Sequence, residues 1–306
     1  MMTRGIPVIF RAWSGNGWGM VSHPFHQERE KDGARSILTL SVNLLDTGSE
    51  GVADDLSSTG PKYSIVIPAY NEGTRIPATL ASVMECIRTR GWPAEVLVVN
   101  DGSTDQTAEV VRAFIRTAPE VRLIENPGNL GKGYSVRAGM LKARGAIVLF
   151  TDADLSSPIE EAERLFTAIG EGADIAIGSR WLESSRQTHR QPLYRQLFGR
   201  CFNGVTRAVM RLPFADTQCG FKAFTRQAAQ TVFRLQTIDR WGFDPEILLI
   251  ALKHGYRITE VPVSWAHDKR TRMSYLRDGF RMLQEIAQIR WNALRGRYDR
   301  SVEAQP

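Results

Sequence analysis

From residue 63 onward, short runs of aliphatic and β-branched residues alternate with segments whose apolar residues recur every three or four positions. The short runs predict strands, and the periodic segments between them predict helices. The predicted strands are 63–67, 95–99, 121–124, 146–150 and 174–177, and the clearest helical stripe is Ile76, Leu80, Val83 and Ile87. Strands that alternate with helices are typical of βαβ units. The sequence therefore predicts an α/β fold with a mostly parallel sheet flanked by helices.

This regular alternation breaks down after residue 177. Further predicted elements are helices over 192–211, over a segment ending at His254 and over 274–295, and a strand over 256–265. Residues 1–60 mix Gly, Ser, Asp and His without a sustained period, which is typical of a disordered tail. We expect three parts: a disordered N-terminal tail (1–60), one sheet domain (61–270), and a C-terminal amphipathic helix with a short tail (271–306).

The composition is that of an ordinary globular protein, with 42% hydrophobic and 24% charged residues among 306. No apolar run approaches the ~20 residues of a membrane-spanning helix, so we expect a soluble or peripheral protein. The three cysteines form neither a disulfide framework nor a metal-binding spacing. This cysteine usage favours a reducing compartment.

Positive charge is concentrated downstream of residue 180. The formal net charge is +6, but 180–211 alone carries seven arginines against one glutamate, and 253–300 carries eleven basic against five acidic side chains. Nucleic acid, an anionic membrane surface or a phosphorylated substrate could each account for this distribution.

Two aspartates, Asp152 and Asp154, directly follow the apolar run 146–150. Such a run is typical of a strand buried on both faces of a parallel sheet, and the carboxyl ends of these strands face the ligand crevice of open α/β sheets. Two neighbouring carboxylates suit Mg²⁺ or Mn²⁺, whose coordination is commonly completed by nucleotide phosphates. The pair could instead cap the next helix, although Ser156 or Ser157 is better placed for that. The sequence therefore predicts a metal site at the sheet edge.

Three further polar loops follow predicted strands and must reach the same edge. Glu72 and Asp101 lie just past the first two strands, where they can accept hydrogen bonds from a ribose or a base. Gly131, Lys132 and Gly133 form a glycine-rich loop that lets backbone approach a ligand, with Lys132 placed to bind a phosphate or base. Each loop alone could be a plain turn. Their convergence beside the aspartate pair indicates a nucleotide site.

Four motifs, SIVIPAYNE, VVNDGSTD, LGKGYSVRAGMLKARG and FTDADLSSP, closely resemble those of family 2 glycosyltransferases, which have the Rossmann-like GT-A fold. Three later motifs, GSRW, DTQCGFKAFTR and RWGFDPEIL, are most similar to the polyprenyl-phosphate branch of that family. The resemblance covers about residues 62–290. It implies a nucleotide-sugar donor, a lipid-phosphate acceptor and Mg²⁺ or Mn²⁺, with glucose moved from UDP-glucose to polyprenyl or dolichyl phosphate with inversion. The alternatives are mannose from GDP-mannose, or another acceptor.

The resemblance also implies roles for individual residues. Asp152 and Asp154 would bind the metal that bridges the donor's diphosphate, with Lys132 beside the nucleotide. The residues implied to hold the nucleoside are Pro68, Ala69, Tyr70, Glu72 and Asp101. Ser156 stands where related mannosyl-transferring enzymes often carry a glutamine, which favours glucose over mannose.

An anionic phosphate acceptor needs no strong general base, but it needs positive charge to approach a second anion. Arg180, just past the fifth strand, and Arg195 or Arg200 on the following helix can supply it, and the resemblance favours Arg180 and Arg195. Asp244 could position the sugar, brace these arginines, or cap its own helix. We expect Asp154, Arg180, Arg195 and Asp244 to carry the catalysis.

The final predicted helix has an apolar face, nearby arginines and terminal aromatic residues. The face consists of Leu276, Phe280, Leu283, Ala287, Trp291 and Leu294. Such a helix can lie on an anionic bilayer or pack on the domain, and a lipid-phosphate acceptor favours the bilayer. We expect a cytoplasmic protein that is peripheral on the cytoplasmic face of a membrane, with no nucleic acid partner. No oligomeric state is predicted.

Three other classes compete with this interpretation. Phosphatases of the haloacid-dehalogenase type also place D-x-D after an apolar strand, but their domain begins with that strand, whereas three βα units precede it here. Processive polysaccharide synthases carry QxxRW and membrane spans, and the corresponding segment 236–241 is one residue longer. A non-catalytic nucleotide-sugar or membrane-binding module is the third, because fold does not imply activity.

Overall fold

The computed structural model describes residues 60–185, 193–266 and 275–299, and short strands at 10–14, 17–21 and 187–189. The chain divides into two units, residues 1–56 and 57–306. In the first unit, β1 (Phe10–Ser14) and β2 (Gly17–Val21) pair antiparallel, with Phe10 opposite Val21. The prediction of a tail over 1–60 did not include this hairpin.

The second unit is built on a seven-stranded sheet. Its strands are β3 (Tyr63–Ala69), β4 (Ala94–Asn100), β5 (Val121–Glu125), β6 (Ile147–Thr151), β7 (Ile175–Ser179), β9 (Phe221–Thr225) and β10 (Ile258–Pro262). A separate pair is formed by β8 (Gln187–His189) and β11 (Trp265–Ala266). The sheet order is β10-β7-β9-β6-β3-β4-β5, and every pairing is parallel except those of β9 with β6 and β7. The predicted mostly parallel α/β fold is confirmed, but β9 was not predicted.

The helices are α1 (Ile76–Arg90), α2 (Thr107–Ile115), α3 (Lys132–Lys142), α4 (Ala162–Gly170), α5 (Leu193–Met210), α6 (Arg226–Leu235), α7 (Phe243–Lys253) and α8 (Tyr275–Leu294). Their ends follow local chemistry. Gly91 ends α1 with a left-handed φ of +61°, and its amide donates to the carbonyls of the last turn. The Thr225 hydroxyl accepts the Ala228 amide and caps α6.

Two apolar clusters, one on each face, bury the central strands. Along β3, Val66 belongs to one cluster, and Ile65 and Ile67 belong to the other. Phe150 of β6 lies in the first cluster and Leu149 in the second, and both are fully buried. Because successive strand residues point to opposite faces, a continuous apolar run satisfies both layers at once. The strand that carries the aspartate pair is therefore held rigidly from both sides.

The chain reverses its direction of travel across the sheet at β3. Strands β4 and β5 follow on one side of β3, whereas β6 pairs with its other side, with Phe150 opposite Val66. This is a topological switch point, where the loops after two adjacent strands leave in opposite directions and open a crevice. The loops that follow β3 and β6 flank it. They are the loops for which the sequence predicts nucleotide and metal binding.

The last helix, α8, packs on the domain through Met282, Ile286 and Ile289, which are buried in the first apolar cluster. Among the helices of the described residues, none combines the length and the apolar character needed to cross a bilayer.

Candidate active site

Asp152 and Asp154 lie in a tight turn directly after β6. The Leu155 amide donates to the Asp152 carbonyl at 3.1 Å, and Leu155 adopts a left-handed φ of +46°. The Ser156 amide donates to the Asp154 carboxylate at 2.9 Å. The turn thus fixes the backbone of the pair and the orientation of one of its carboxylates.

The two carboxylates of this pair repel each other in a partly enclosed space. Burial, together with the charge of Asp152, raises the pKa of Asp154 above its usual value. A divalent cation would offset both effects, and carboxylate oxygens are the ligands that Mg²⁺ and Mn²⁺ prefer. The donor set therefore fits the predicted metal.

Lys132, the first residue of α3, reaches the aspartate pair. Its ammonium lies 2.6 Å from an Asp152 carboxylate oxygen, and the Trp241 and Phe243 ring centroids lie 5.5 Å and 5.9 Å from it. Burial alone would lower the pKa of Lys132, but the charges of Asp152 and Asp244 raise it above its usual value. Lys132 therefore stays protonated beside the predicted metal site, where a positive charge favours a phosphate.

The glycines that flank Lys132 make room for a neighbouring segment. A Cβ on Gly131 would lie 2.4 Å from the Asp239 carbonyl oxygen, and one on Gly133 would lie 2.5 Å from the Ile238 carbonyl oxygen. Gly131 also has a φ of +115°. The sequence suggested that these glycines admit a ligand, whereas in the structure the close approach is made by residues 238–240.

Asp101 is buried and braces the same glycine-rich loop. Its carboxylate accepts the amides of Leu130 at 3.0 Å and Gly131 at 2.8 Å, and the Asn126 side-chain amide at 2.9 Å. The predicted nucleoside contact would add a fourth hydrogen bond to a carboxylate that can accept four.

The loop after β3 is tied to the loop after β4. The Asn71 amide donates to the Ser103 hydroxyl and the Glu72 amide to the Thr107 hydroxyl, both at 2.9 Å. Arg75 donates to the Glu72 carboxylate at 2.7 Å. These bonds place Glu72 and the exposed Tyr70 at the carboxyl edge of β3, and the Ala69 carbonyl there accepts the Asp101 amide at 2.8 Å. Pro68 precedes Ala69 in the same strand, opposite Val99 of β4.

A buried ion pair lies under this site. Lys222 of β9 is fully buried, and its ammonium contacts the carboxylate of Asp244 and donates to the Cys219 carbonyl at 2.6 Å. The Phe150 ring centroid lies 5.5 Å from the same ammonium. Asp244 is in the first turn of α7, and its charge also reaches Lys132. The charge of Asp244 therefore acts on two lysines, Lys222 through direct contact and Lys132 from further away.

Arg180, just past β7, is held by a buried carboxylate. Its Nε and Nη2 atoms donate to the two Asp216 oxygens at 2.7 Å and 2.9 Å, and its amide donates to the same carboxylate at 3.1 Å. Burial alone would raise the pKa of Asp216, but the Arg180 guanidinium holds it below its usual value. The fork fixes the orientation of the guanidinium, with the Trp181 and Trp265 rings 5.9 Å and 5.7 Å from it.

The structure thus brings Asp152, Asp154 and Asp244 close enough for their charges to act on Lys132. Arg180 lies close enough for Asp244 to raise its pKa. The side chain of Arg195 lies outside the described residues, and Arg200 is exposed on α5.

Three further residues contribute to this site. From the sequence, Lys222 was noted only as part of a motif, with no role assigned, and Asp216 and Gly220 were missed. A Cβ on Gly220 would lie 2.4 Å from an Asp152 carboxylate oxygen, so this glycine is the surface against which that carboxylate rests. All three residues lie in the motif segment DTQCGFK. The sequence identifies this segment as a motif, but it does not reveal which residues the segment contacts.

A carboxylate pair, a paired lysine and a polar loop at the switch point of a mostly parallel sheet define the class of nucleotide-sugar transferase folds called GT-A. The sequence matches the family model "Glycosyl transferase family 2" over residues 64–233. The chain belongs to glycosyl transferase family 2.

The curated relatives carry one recurring name. The chain is 41% identical to the dolichyl-phosphate beta-glucosyltransferase ALG5C of Trichomonas vaginalis over 214 residues, which are 66% of this chain and 63% of the relative. It is 32% identical over 245 residues to the dolichyl-phosphate beta-glucosyltransferase of Dictyostelium discoideum, covering 76% of this chain and 75% of the relative. The chain thus spans a little under two thirds of the length of ALG5C.

Two solved structures share the fold. One is a Pyrobaculum calidifontis mannosyltransferase in complex with GDP-Man and Mn²⁺, with a TM-score of 0.54, 22% identity, and 78% of this chain and 65% of that chain covered. The other is the Mycobacterium tuberculosis glucosyl-3-phosphoglycerate synthase in complex with UDP, with a TM-score of 0.53, 19% identity, and 79% and 82% covered. At these identities the similarity establishes the GT-A fold.

Proposed function

We propose that this protein is a divalent-metal-dependent hexosyltransferase that moves glucose from UDP-glucose to a polyprenyl or dolichyl phosphate, with inversion at the sugar. The observation that carries this proposal is the Asp152–Asp154 pair, coupled to Lys132 at the switch point of the sheet. The recurring name of the relatives supports glucose and a dolichyl-phosphate acceptor.

The donor would bind across the loops after β3, β4 and β6. Asp152 and Asp154 would hold Mg²⁺ or Mn²⁺, which supplies Lewis-acid stabilisation of the departing diphosphate. Lys132 adds a fixed positive charge next to Asp152, and this charge favours the same anion. Glu72 and Asp101 would accept hydrogen bonds from the nucleoside, alongside Pro68, Ala69 and Tyr70.

The acceptor phosphate would be guided by arginine. Because its oxygen is already anionic near neutral pH, the chain needs no strong general base to activate it. Arg180 is oriented in advance by the two-point fork to Asp216, so little side-chain entropy is lost when a phosphate binds to it. Arg195, on the following helix, would supply the second charge. Asp244 would act close to the sugar or through Lys222, its buried partner.

A membrane surface would present such an acceptor. The side of α8 opposite its packed face exposes Phe280, Trp291 and Leu294 by 65%, 54% and 69% of their surface. Arg295 stacks on Trp291, with its guanidinium 4.3 Å from the ring centroid. Exposed apolar side chains flanked by arginines suit an anionic bilayer. The three free cysteines are compatible with the reducing cytoplasmic face.

Replacing Phe280 and Trp291 together with glutamate is expected to weaken binding to vesicles that contain anionic phospholipid by at least tenfold. Each side chain buried in lipid contributes roughly 1.5–3 kcal/mol, and the added negative charges are repelled. Vesicle co-sedimentation measures the change. The matched control is Leu252→Glu, which adds a charge at an exposed apolar position of α7. Equal loss in the control, or no loss in the double variant, would refute membrane contact through α8.

The proposed activity is tested with purified protein, Mn²⁺, a polyprenyl phosphate and a panel of UDP-glucose, GDP-mannose and UDP-N-acetylglucosamine. Mass spectrometry of the lipid product is expected to show one added hexose from UDP-glucose alone. Transfer from GDP-mannose would establish the mannosyl alternative, and transfer only to soluble sugars or proteins would overturn the acceptor.

Replacing Gly220 with alanine is expected to weaken binding of Mn²⁺-UDP by at least tenfold while leaving the thermal midpoint nearly unchanged. The new methyl group would occupy the space of the Asp152 carboxylate and turn it away from Lys132. Calorimetric titration measures the affinity. Gly170→Ala is the matched control, because a Cβ at that position would meet no atom within 4 Å. An affinity like that of the unaltered protein would show that the orientation of Asp152 does not matter for the donor.

A further inference from the structure

The segment Thr237–Gly242, between α6 and α7, lies against the start of α3. The Tyr134 amide donates to the Asp239 carbonyl at 2.9 Å, and the Gly133 amide donates to the Arg240 carbonyl at 3.2 Å. These carbonyls satisfy amides of the first turn of α3, which would otherwise lack helical partners. Lys132 is the first residue of that turn, so the position of the segment sets the position of Lys132.

The same segment also supplies an aromatic neighbour of the Lys132 ammonium. The Trp241 ring centroid lies 5.5 Å from that ammonium, which also contacts the Asp152 carboxylate at 2.6 Å. Trp241 is 41% exposed, so packing alone does not fix it. Its placement depends on how the neighbouring backbone at Gly242 is held.

The opposite side of the segment is attached to α8. The Gly242 amide donates to the Glu285 carboxylate at 2.7 Å. A Cβ on Gly242 would lie 2.8 Å from the Glu285 Cβ, so the two backbones are in close apposition. Glu285 is therefore the link between the middle of α8 and the residue that follows Trp241.

The carboxyl end of α8 holds the other end of the segment. The Asn292 side-chain amide donates to the Thr237 hydroxyl at 3.1 Å. The Tyr298 hydroxyl donates at 2.7 Å to the Glu246 carboxylate, which also accepts the Thr237 and Ile238 amides at 2.9 Å each. The segment therefore forms hydrogen bonds with α8 at two points, Gly242 and Thr237. At a third point, its carbonyls bond the first turn of α3, next to Lys132.

We infer that α8 controls the affinity for the nucleotide donor through the segment Thr237–Gly242, with Glu285 as the positioning residue. Glu285 is not among the residues proposed to bind the donor. It holds Gly242, which places Trp241 and the carbonyls that orient Lys132 against Asp152. This inference deepens the proposed function and rests on it for the identity of the donor. It also means that a surface bound to the exposed face of α8 would contact a helix that is connected to the donor site through this segment.

The test measures Mn²⁺-UDP binding by titration calorimetry on the full chain. Glu285→Ala is expected to weaken binding five- to tenfold. Glu285→Gln retains an oxygen that can accept the Gly242 amide, so its affinity is expected to stay within twofold of the unaltered protein. Gln288→Ala, an exposed position on the same helix, is the matched control. Gly242→Ala would push the backbone at residue 242 away from α8, because its new methyl group would meet Glu285. This variant retains Glu285 and is expected to show the same loss of Mn²⁺-UDP affinity as Glu285→Ala.

A second readout separates positioning from general damage. In the transfer assay, Glu285→Ala is expected to raise the KM for UDP-glucose five- to tenfold and to leave the KM for the lipid phosphate unchanged. Unchanged donor affinity in Glu285→Ala, or equal losses in the alanine and glutamine variants, would overturn the inference. If the unaltered protein binds Mn²⁺-UDP but transfers no sugar, the proposed function fails while the calorimetric result still decides the role of Glu285.

Discussion

Asp152→Ala is expected to lower kcat for sugar transfer by about a thousandfold, which corresponds to ~4 kcal/mol of transition-state stabilisation. Asp152 supplies one of the two carboxylates at the carboxyl end of β6, and it is the partner of Lys132 at 2.6 Å. Its removal would leave Asp154 as the remaining carboxylate of the pair and would release Lys132, the lysine proposed to bind the diphosphate. Both changes would weaken the stabilisation of the negative charge that develops on the departing diphosphate.

Initial rates at saturating UDP-glucose, measured across a range of Mn²⁺ concentrations, test this prediction. Asp152→Asn preserves shape and removes charge, so a loss similar to that of the alanine variant would assign the effect to the carboxylate charge. Glu171→Ala removes an exposed carboxylate at the end of α4 and is expected to leave kcat unchanged. If Asp152→Ala retained more than a tenth of the rate, the proposed role of Asp152 would be wrong and the enzyme would be catalysed differently.

The sequence predicted the parallel strands because most of them, such as β3, β4 and β6, are local runs of apolar residues. It failed at β9, Phe221–Thr225, which enters the sheet antiparallel between β6 and β7. The reason is Lys222: a lysine at the second position of a five-residue strand indicates a solvent-facing side chain, yet this side chain is fully buried. Its burial is made tolerable by Asp244, 22 residues further along the chain, and no local pattern reveals such a partner.

In the candidate site, too, local features could be predicted from the sequence and contacts between distant segments could not. Asp152, Asp154 and Lys132 were identified because they follow strand ends, and strand ends of a parallel sheet meet at one edge. The packing role of Gly131 and the fork between Arg180 and Asp216 depend on contacts with distant segments. Residue type and spacing predicted that these side chains come together at the sheet edge, but not which other side chains hold them.

Helix α8 was predicted with one apolar face, whereas it has two. The packed face uses Met282, Ile286 and Ile289, and the predicted face, with Phe280 and Trp291, is exposed. Periodicity identifies apolar stripes on a helix, but it cannot rank two stripes on the same helix. Only the shape of the domain surface under α8 decides which stripe packs, and that shape is set by residues from several helices.

Asp244→Ala is expected to lower the free energy of unfolding by about 3–5 kcal/mol, because it leaves the Lys222 ammonium buried without its carboxylate. For a chain of this size, the thermal midpoint should fall by roughly 6–20 °C. The double variant Lys222→Met/Asp244→Ala removes both charges and is expected to regain more than half of the lost stability. Denaturant unfolding of the four proteins in the cycle measures these differences. Asp299→Ala breaks the exposed pair with Lys253 and should cost less than ~1 kcal/mol.

The same cycle separates the two roles proposed for Asp244. If Asp244 acts only by neutralising Lys222, the stabilised double variant should also recover most of the transfer rate lost in Asp244→Ala. If Asp244 also contributes charge near the sugar and Lys132, the double variant will fold and still transfer slowly, because restoring stability does not restore that carboxylate. We expect the second result, because the charge of Asp244 reaches Lys132 as well as Lys222. A double variant as unstable as Asp244→Ala would contradict the premise that the unpaired buried ammonium causes the loss.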